Sequence, residues 1–154
     1  MLPPFQRLLD EHAEIVLRFL VASVGPVDAD DCFQETVIAA LRAYPRLRHA
    51  DNLRGWLLTI AHRKALDHHR ARARQPVPAE HVDPGSVAPE QPADDGLWSA
   101  VHELPPKQRG AVLLRFVGDL SHREIASALG SSEEAARRAL ADGLAKLRKE
   151  WTPA

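Results

Sequence analysis

The sequence predicts an all-α fold, with two small helical domains joined by a Pro-rich flexible linker and a helix-turn-helix in the second domain. Three observations predict it. Apolar residues recur every three or four positions through most of the 154 residues, and no stretch alternates with the period of a strand. Between Gln75 and Asp95 that rhythm gives way to Pro76, Pro78, Pro84, Pro89 and Pro92, with Gly85 and several acids among them. Such a stretch cannot bury a core and reads as an extended tether. From Leu104 to Glu134 the chain carries dense helix punctuation: capping sequences on both sides of a short turn at Gly130. The expected division is 1–74, 75–95 and 96–154.

Each element follows from local signals. Phe5, Leu8, Leu9, Ala13, Val16, Leu17, Leu20 and Val24 form one helical stripe, which Gly25-Pro26 ends. Asp28 or Asp30 can cap a second helix running to about Tyr44, where Pro45 stops it. Within it Phe33, Val37, Ile38 and Leu41 are the apolar positions expected inward, although Ile38 also falls on the opposite face with Asp31, Gln34, Glu35 and Arg42. Asn52 is the expected N-cap of a third helix, from Leu53 to roughly Arg74. After the tether, Leu97, Trp98, Val101 and Leu104 make a short helix. Pro105-Pro106 break it and open the next, whose apolar positions are Ala111, Val112, Leu114 and Phe116. Ser121-His-Arg-Glu124 is a capping box, and Ile125, Ala126 and Leu129 follow at helical spacing. Gly130 ends that helix, and Ser131-Ser-Glu-Glu134 reads as a second box opening a last helix to about Trp151. Two capped helices on so short a turn cross steeply and present the second one outward.

Composition narrows the function classes. A net charge of −1 argues against a free-standing, tight DNA binder, because phosphate neutralisation supplies most of that affinity. The charge is nevertheless segregated. Arg54, Arg63, Lys64, Arg70, Arg72 and Arg74 face only Asp67 in the third helix, whereas Pro76 to Glu103 holds acids and no Lys or Arg. That pattern suggests one anion-binding face and one solvated tether. The single Cys32 allows no intramolecular disulfide and fits a reducing cytosol. No secretory signal and no membrane-length apolar run is visible, so a cytoplasmic protein without membrane insertion is expected. His62, His68 and His69 lack the cysteine and carboxylate partners of zinc sites, and Arg and Lys surround them. No metal, cofactor or enzymatic activity is expected.

The acidic and amide-bearing face of the second helix suits a basic protein partner, although the same spacing fits an ordinary solvated face. Asp28-Ala-Asp-Asp-Cys-Phe-Gln-Glu-Thr resembles the core-binding helix of bacterial RNA polymerase sigma factors. Leu53-Arg-Gly-Trp-Leu-Leu-Thr-Ile-Ala-His-Arg-Lys-Ala-Leu-Asp-His-His-Arg resembles the helix of that family that melts promoters and reads the minus-ten element. Leu104-Pro-Pro-Lys-Gln-Arg through Gly130 resembles its domain for the minus-thirty-five element. The short layout is similar to the extracytoplasmic-function (ECF) group.

The resemblance implies a transcription initiation factor that binds polymerase core and directs promoter recognition and melting. Asp31, Gln34, Glu35 and Ile38 would meet a coiled coil of the largest polymerase subunit. His49 and Asn52, in the loop from Leu47, would help hold a base flipped from opened promoter DNA. Arg54, Trp56, Arg63, Lys64, Asp67 and Arg70 would lie along the DNA side of the third helix, and Ser132, Arg137 and Arg138 on that of the last. Opened single strands need a positive groove and surfaces that replace lost stacking. Trp56 equally fits core packing, with Leu57, Ile60 and Ala61 beside it. An anti-sigma factor is a further partner the resemblance admits.

The last helix departs from the family pattern. Ala136 stands where a branched apolar residue is usual, and Ala139, Asp142 and Leu144 where basic residues are usual. Gly143 costs about 1 kcal/mol of helix propensity relative to Ala. Two other readings therefore stay open: a sigma-like regulator that binds polymerase or a partner without initiating, and a stand-alone helix-turn-helix regulator.

Overall fold

The computed structural model describes residues 2–48, 51–74 and 96–150. His49 and the expected tether 75–95 lie outside the described residues, as does Trp151. The described residues form helices α1 (Phe5–Val24), α2 (Pro26–Ala43), α3 (Leu53–Arg74), α4 (Leu97–Glu103), α5 (Pro106–Phe116), α6 (His122–Leu129) and α7 (Glu133–Glu150). A 3-10 turn, Tyr44–Arg46, follows α2, and no strand occurs among the described residues.

α1, α2 and α3 pack on one another around Leu8, Phe19 and Leu20 of α1, Ala29, Cys32 and Ala40 of α2, and Leu57, Leu58 and Ala61 of α3. Phe19 and Leu20 are fully buried, and burying a side chain of that size is worth roughly 1.5–3 kcal/mol. The small residues of α2 let it lie close to its neighbours. Its core face is therefore Ala29, Cys32, Thr36 and Ala40, with Phe33 partly buried, rather than the expected Phe33, Val37, Ile38 and Leu41. Leu41 is 54% exposed. Thr36 satisfies its buried hydroxyl by donating to the Cys32 carbonyl at 2.7 Å.

The start of α2 also differs from expectation. α1 ends at Gly25, whose φ of +90° only glycine reaches cheaply, and Pro26 takes the first helical position at once. Neither Asp28 nor Asp30 caps the helix. Pro26 has no N–H to satisfy and brings its φ preset, so the helix starts before either acid. By contrast α3 begins where its cap predicts: the Asn52 Oδ1 accepts from the Gly55 N–H at 2.9 Å.

In the second group, α4 to α7 surround Val101, Leu104, Leu113, Leu114, Ile125, Ala136, Leu140 and Leu147. Ser121 and Glu124 form the expected capping box, each side chain meeting the other's backbone N–H. The second box is displaced by one residue. The Ser131 N–H closes α6 on the Ala126 carbonyl at 3.0 Å, so Ser132 becomes the N-cap and accepts from the Ala135 N–H at 3.1 Å. Ala135 now occupies the third helical position, and no carboxylate completes a box. Phe116, expected among the apolar positions of α5, is 63% exposed.

Gly143 has a packing reason for its place. A Cβ there would stand 2.9 Å from Val112 Cγ2 and 3.4 Å from Gln108 Cβ, so the close approach of α5 and α7 depends on its absence. The two groups are also in contact: α1 packs on α4 and α5, and α3 on α5 and α6, joining both cores into one apolar cluster.

Candidate docking face and nucleic-acid interface

α2 presents Asp31, Gln34, Glu35, Ile38 and Arg42 on one exposed face, as their spacing requires. Three apolar side chains stand exposed on the same helix: Val27 at 69%, Ile38 at 50% and Leu41 at 54%. An acidic helix surface interrupted by large apolar groups is suited to a basic partner with an apolar seam. Beneath it, burial first and then the acids Glu35, Asp28 and Asp31 push the Cys32 thiol up to about 11. Cys32 is therefore a neutral packing group at neutral pH.

The second region is a cleft of about 430 Å³ lined by Asn52, Gly55, Trp56, Thr59, Ile60, Arg63, Glu124 and Ser127. α3 supplies one wall and α6 the other. Trp56 is half-buried: its ring lies 6.0 Å from Tyr44, whose own ring lies 5.4 Å from Phe5. It thus packs against the core, as one expectation had it, and also lines the cleft. The Asn52 amide donates to the Glu124 carboxylate across the cleft. A Cβ on Gly55 would reach within 2.8 Å of that amide, so the glycine leaves Asn52 its room.

Arg63, Asp67 and Arg70 continue from this cleft along the exposed side of α3, with Lys64 half-buried beside them. Arg54 is turned to the other group, its guanidinium 3.4 Å from the Asp119 carbonyl. The structure therefore brings Asn52, Trp56 and Arg63 together. Ser132, Arg137 and Arg138 are at the start of α7 and are not part of the cleft wall. There Arg137 pairs with Glu133 at 3.0 Å and Arg138 with Glu134 at 3.6 Å, all on the exposed side. Ala139 is buried and Leu144 partly buried against the core, so these two departures from the family pattern fall on inward positions. Asp142 is exposed.

Sequence reasoning missed the partners across the seam. The Glu124 carboxylate is held below the usual range, mainly by its backbone hydrogen bond at Ser121. Arg109 of α5 donates from Nη2 to the carbonyls of His102 and Leu104, at 2.7 and 2.9 Å, while its Nη1 lies 2.8 Å from His69 Nε2 of α3. His62 is 3% exposed and lies against Phe19 and Gly110. A local signal existed only for Glu124, as the third residue of a capping box. Arg109 and His62 look like ordinary helix-surface residues in their own segments.

Comparison with known proteins fits this arrangement. Residues 8–75 match the family model Sigma-70 region 2, and residues 95–147 match Sigma-70, region 4. The chain is 34% identical over 160 residues to the ECF RNA polymerase sigma factor SigD of Mycobacterium tuberculosis, covering 94% of this chain and 76% of that protein. It is 32% identical over 152 residues to the RNA polymerase sigma factor CarQ of Myxococcus xanthus, covering 94% and 87%. Among solved structures, the sigma factor RpoE of Bartonella quintana, in complex with the anti-sigma factor NepR, has the same fold. Its TM-score is 0.76 at 19% identity, over 94% of each chain. No helix among the described residues is long and apolar enough to cross a membrane. The chain belongs to the ECF group of RNA polymerase sigma factors, and it is a transcription initiation factor.

Proposed function

We propose that α2 is the surface by which this chain docks on polymerase core, and that α3 then handles opened promoter DNA. The observation that carries this reading is the exposed set Val27, Ile38 and Leu41 among Asp31, Gln34 and Glu35. Those apolar groups serve no core among the described residues, and a coiled coil of the largest polymerase subunit is the partner that the family resemblance assigns to this face. Asn52, Trp56 and Arg63 suit a displaced base, combining an amide, an aromatic surface and a cation in one cleft. Lys64, Asp67 and Arg70 extend that path, and Arg54 joins it once it leaves Asp119. Ser132, Arg137 and Arg138 read the upstream element, from the start of α7 as a helix-turn-helix requires. Residues 1–74 and 96–154 act as the two domains of this machine, with 75–95 as tether. The protein acts by binding rather than by catalysis, in the cytoplasm, and an anti-sigma factor is a fitting partner. Co-elution with purified core tests the reading: Asp31→Ala should weaken the complex without changing helicity. Full retention of core by Asp31→Ala would count against it.

A second reading has its own observation. Arg137 and Arg138 both pair with acids of their own helix, and Asp142 lies further along it. That favours a factor that initiates with relaxed dependence on the minus-thirty-five element. Run-off transcription from templates with and without that element separates the two, since transcripts depend on it only under the first.

A further inference from the structure

We propose that the seam between the two helix groups is a proton-sensitive latch. A neutral His69, accepting a hydrogen bond from Arg109, holds α6 over the reading end of α3, and protonation of His69 releases it. The inference rests on the reading of the Asn52, Trp56 and Arg63 cleft as a DNA surface, because that is the surface the latch covers.

The chemistry of the contact dictates its protonation state. A guanidinium has only donors, so a nitrogen 2.8 Å from Arg109 Nη1 must present a lone pair. His69 Nε2 is thereby unprotonated, and the ring's remaining N–H is left for its backbone hydrogen bond at Ser23. Arg109 cannot turn away freely, since its Nη2 ties together the His102 and Leu104 carbonyls of its own group. A second proton on His69 would set N–H against N–H and cation against cation. His62, two turns earlier on α3, faces the same seam. A Cβ on Gly110, the residue after Arg109, would lie 2.5 Å from its Cε1, and its Nδ1 has no hydrogen-bond partner. Both histidines are thus neutral in the closed form.

The groups facing these rings are few. Arg109 of α5 and His68 beside it on α3 lie against His69, His102 of α4 acts on it electrostatically, and α1 offers the Ser23 backbone. His62 feels the charges of His69 and Arg63 and lies edge-on to the ring of Phe19. His68 lies 3.2 Å from Asp28 of α2, which also pairs with Arg72 at 2.5 Å. That contact is internal to α2 and α3 and survives opening. Glu124 keeps its charge as the acceptor of Asn52 through the neutral range.

Burial, then Arg109, His68 and His102, bring His69 down to about 4. Burial, then His69 and Arg63, bring His62 to about 4 as well. On opening, both return toward the ordinary 6.5. Their depressed values therefore favour the closed form fully above pH 6.5, and that preference is lost as pH falls from 6.5 toward 4. Each such histidine shifts the balance toward the open form about tenfold per pH unit in that window.

Small-angle scattering of the full chain alone, from pH 8 to 5, tests the latch without polymerase or DNA, so its outcome is independent of the proposed docking and reading roles. The radius of gyration should rise below pH 6.5 at constant helicity. In His69→Gln, whose amide oxygen still accepts but does not titrate, the rise should be about tenfold weaker in equilibrium at pH 5.5. The imidazole resonances of wild-type His69 give a second readout that needs no variant, and their titration should follow the expansion. A chain that stays compact to pH 5 would overturn the proposal, as would a His69→Gln profile identical to wild type.

Discussion

Gly110→Ala places a single methyl group in the seam. Its carbon would stand 2.5 Å from His62 Cε1, 3.1 Å from His62 Nδ1 and 3.3 Å from Leu129 Cδ2. Carbon atoms rest at about 3.5–4.0 Å, so the closed form lacks roughly 1 Å of room. Leu129 can yield a few tenths of an ångström. His62 is 3% exposed with the Phe19 ring 6.5 Å away, so burial limits its movement. Overpacking of this kind costs about 1–3 kcal/mol. Within α5 the same change gains about 1 kcal/mol of helix propensity. The two effects act on different equilibria: the second group becomes more stable alone, while its contact with the first weakens by about 1–3 kcal/mol. Scattering at pH 7.5 should show Gly110→Ala expanded without acid, with far-UV circular dichroism no weaker than wild type. A variant as compact as wild type and equally stable to heat would refute the reasoning, because it would mean His62 does not fill that space.

Three further outcomes follow from other parts of the molecule. Ile38→Ala, at a position 50% exposed, should leave melting within about 1 kcal/mol of wild type yet weaken core binding roughly five- to thirtyfold, as read by competition for core. Gly143→Ala should lower thermal stability by up to about 2 kcal/mol despite its better helix propensity, since its Cβ would stand 2.9 Å from Val112 Cγ2; a variant more stable than wild type by calorimetry would contradict this. Arg137→Ala should reduce the salt slope of holoenzyme binding to promoter DNA by about one, and an unchanged slope would remove Arg137 from the phosphate contacts.

Much of the architecture is written in local sequence. α1 begins and ends where its stripe and Gly25 require, α3 begins where Asn52 requires, and Ser121 with Glu124 opens α6 as its motif demands. The misplacements are local competitions. Pro26 at the first helical position pre-empted the aspartates, and the closure of α6 consumed the Ser131 N–H, moving the next cap to Ser132. Leu41 was expected inward by its spacing, but Ala29, Cys32, Thr36 and Ala40 let α2 settle on its small face. That shift left Leu41 exposed beside Ile38, which enlarges the proposed docking surface. The seam lay beyond sequence reasoning because its partners are far apart: Asn52 meets Glu124 72 residues later, and His69 meets Arg109 40 residues later. Neither pair has a periodic signature. Of the histidines of α3, which as a sequence raise only the question of a metal, His69 meets Arg109 across the seam and His62 lies against Gly110, while His68 lies against Asp28 within the first group.

If this chain, through α2 and α3, converts core polymerase into an initiating enzyme, run-off transcription from promoters selected by the reconstituted holoenzyme will show it. Discrete transcripts should depend on the chain and fall sharply with Asp31→Ala or Arg63→Ala. Stable core binding with no specific transcript on any selected template would contradict it.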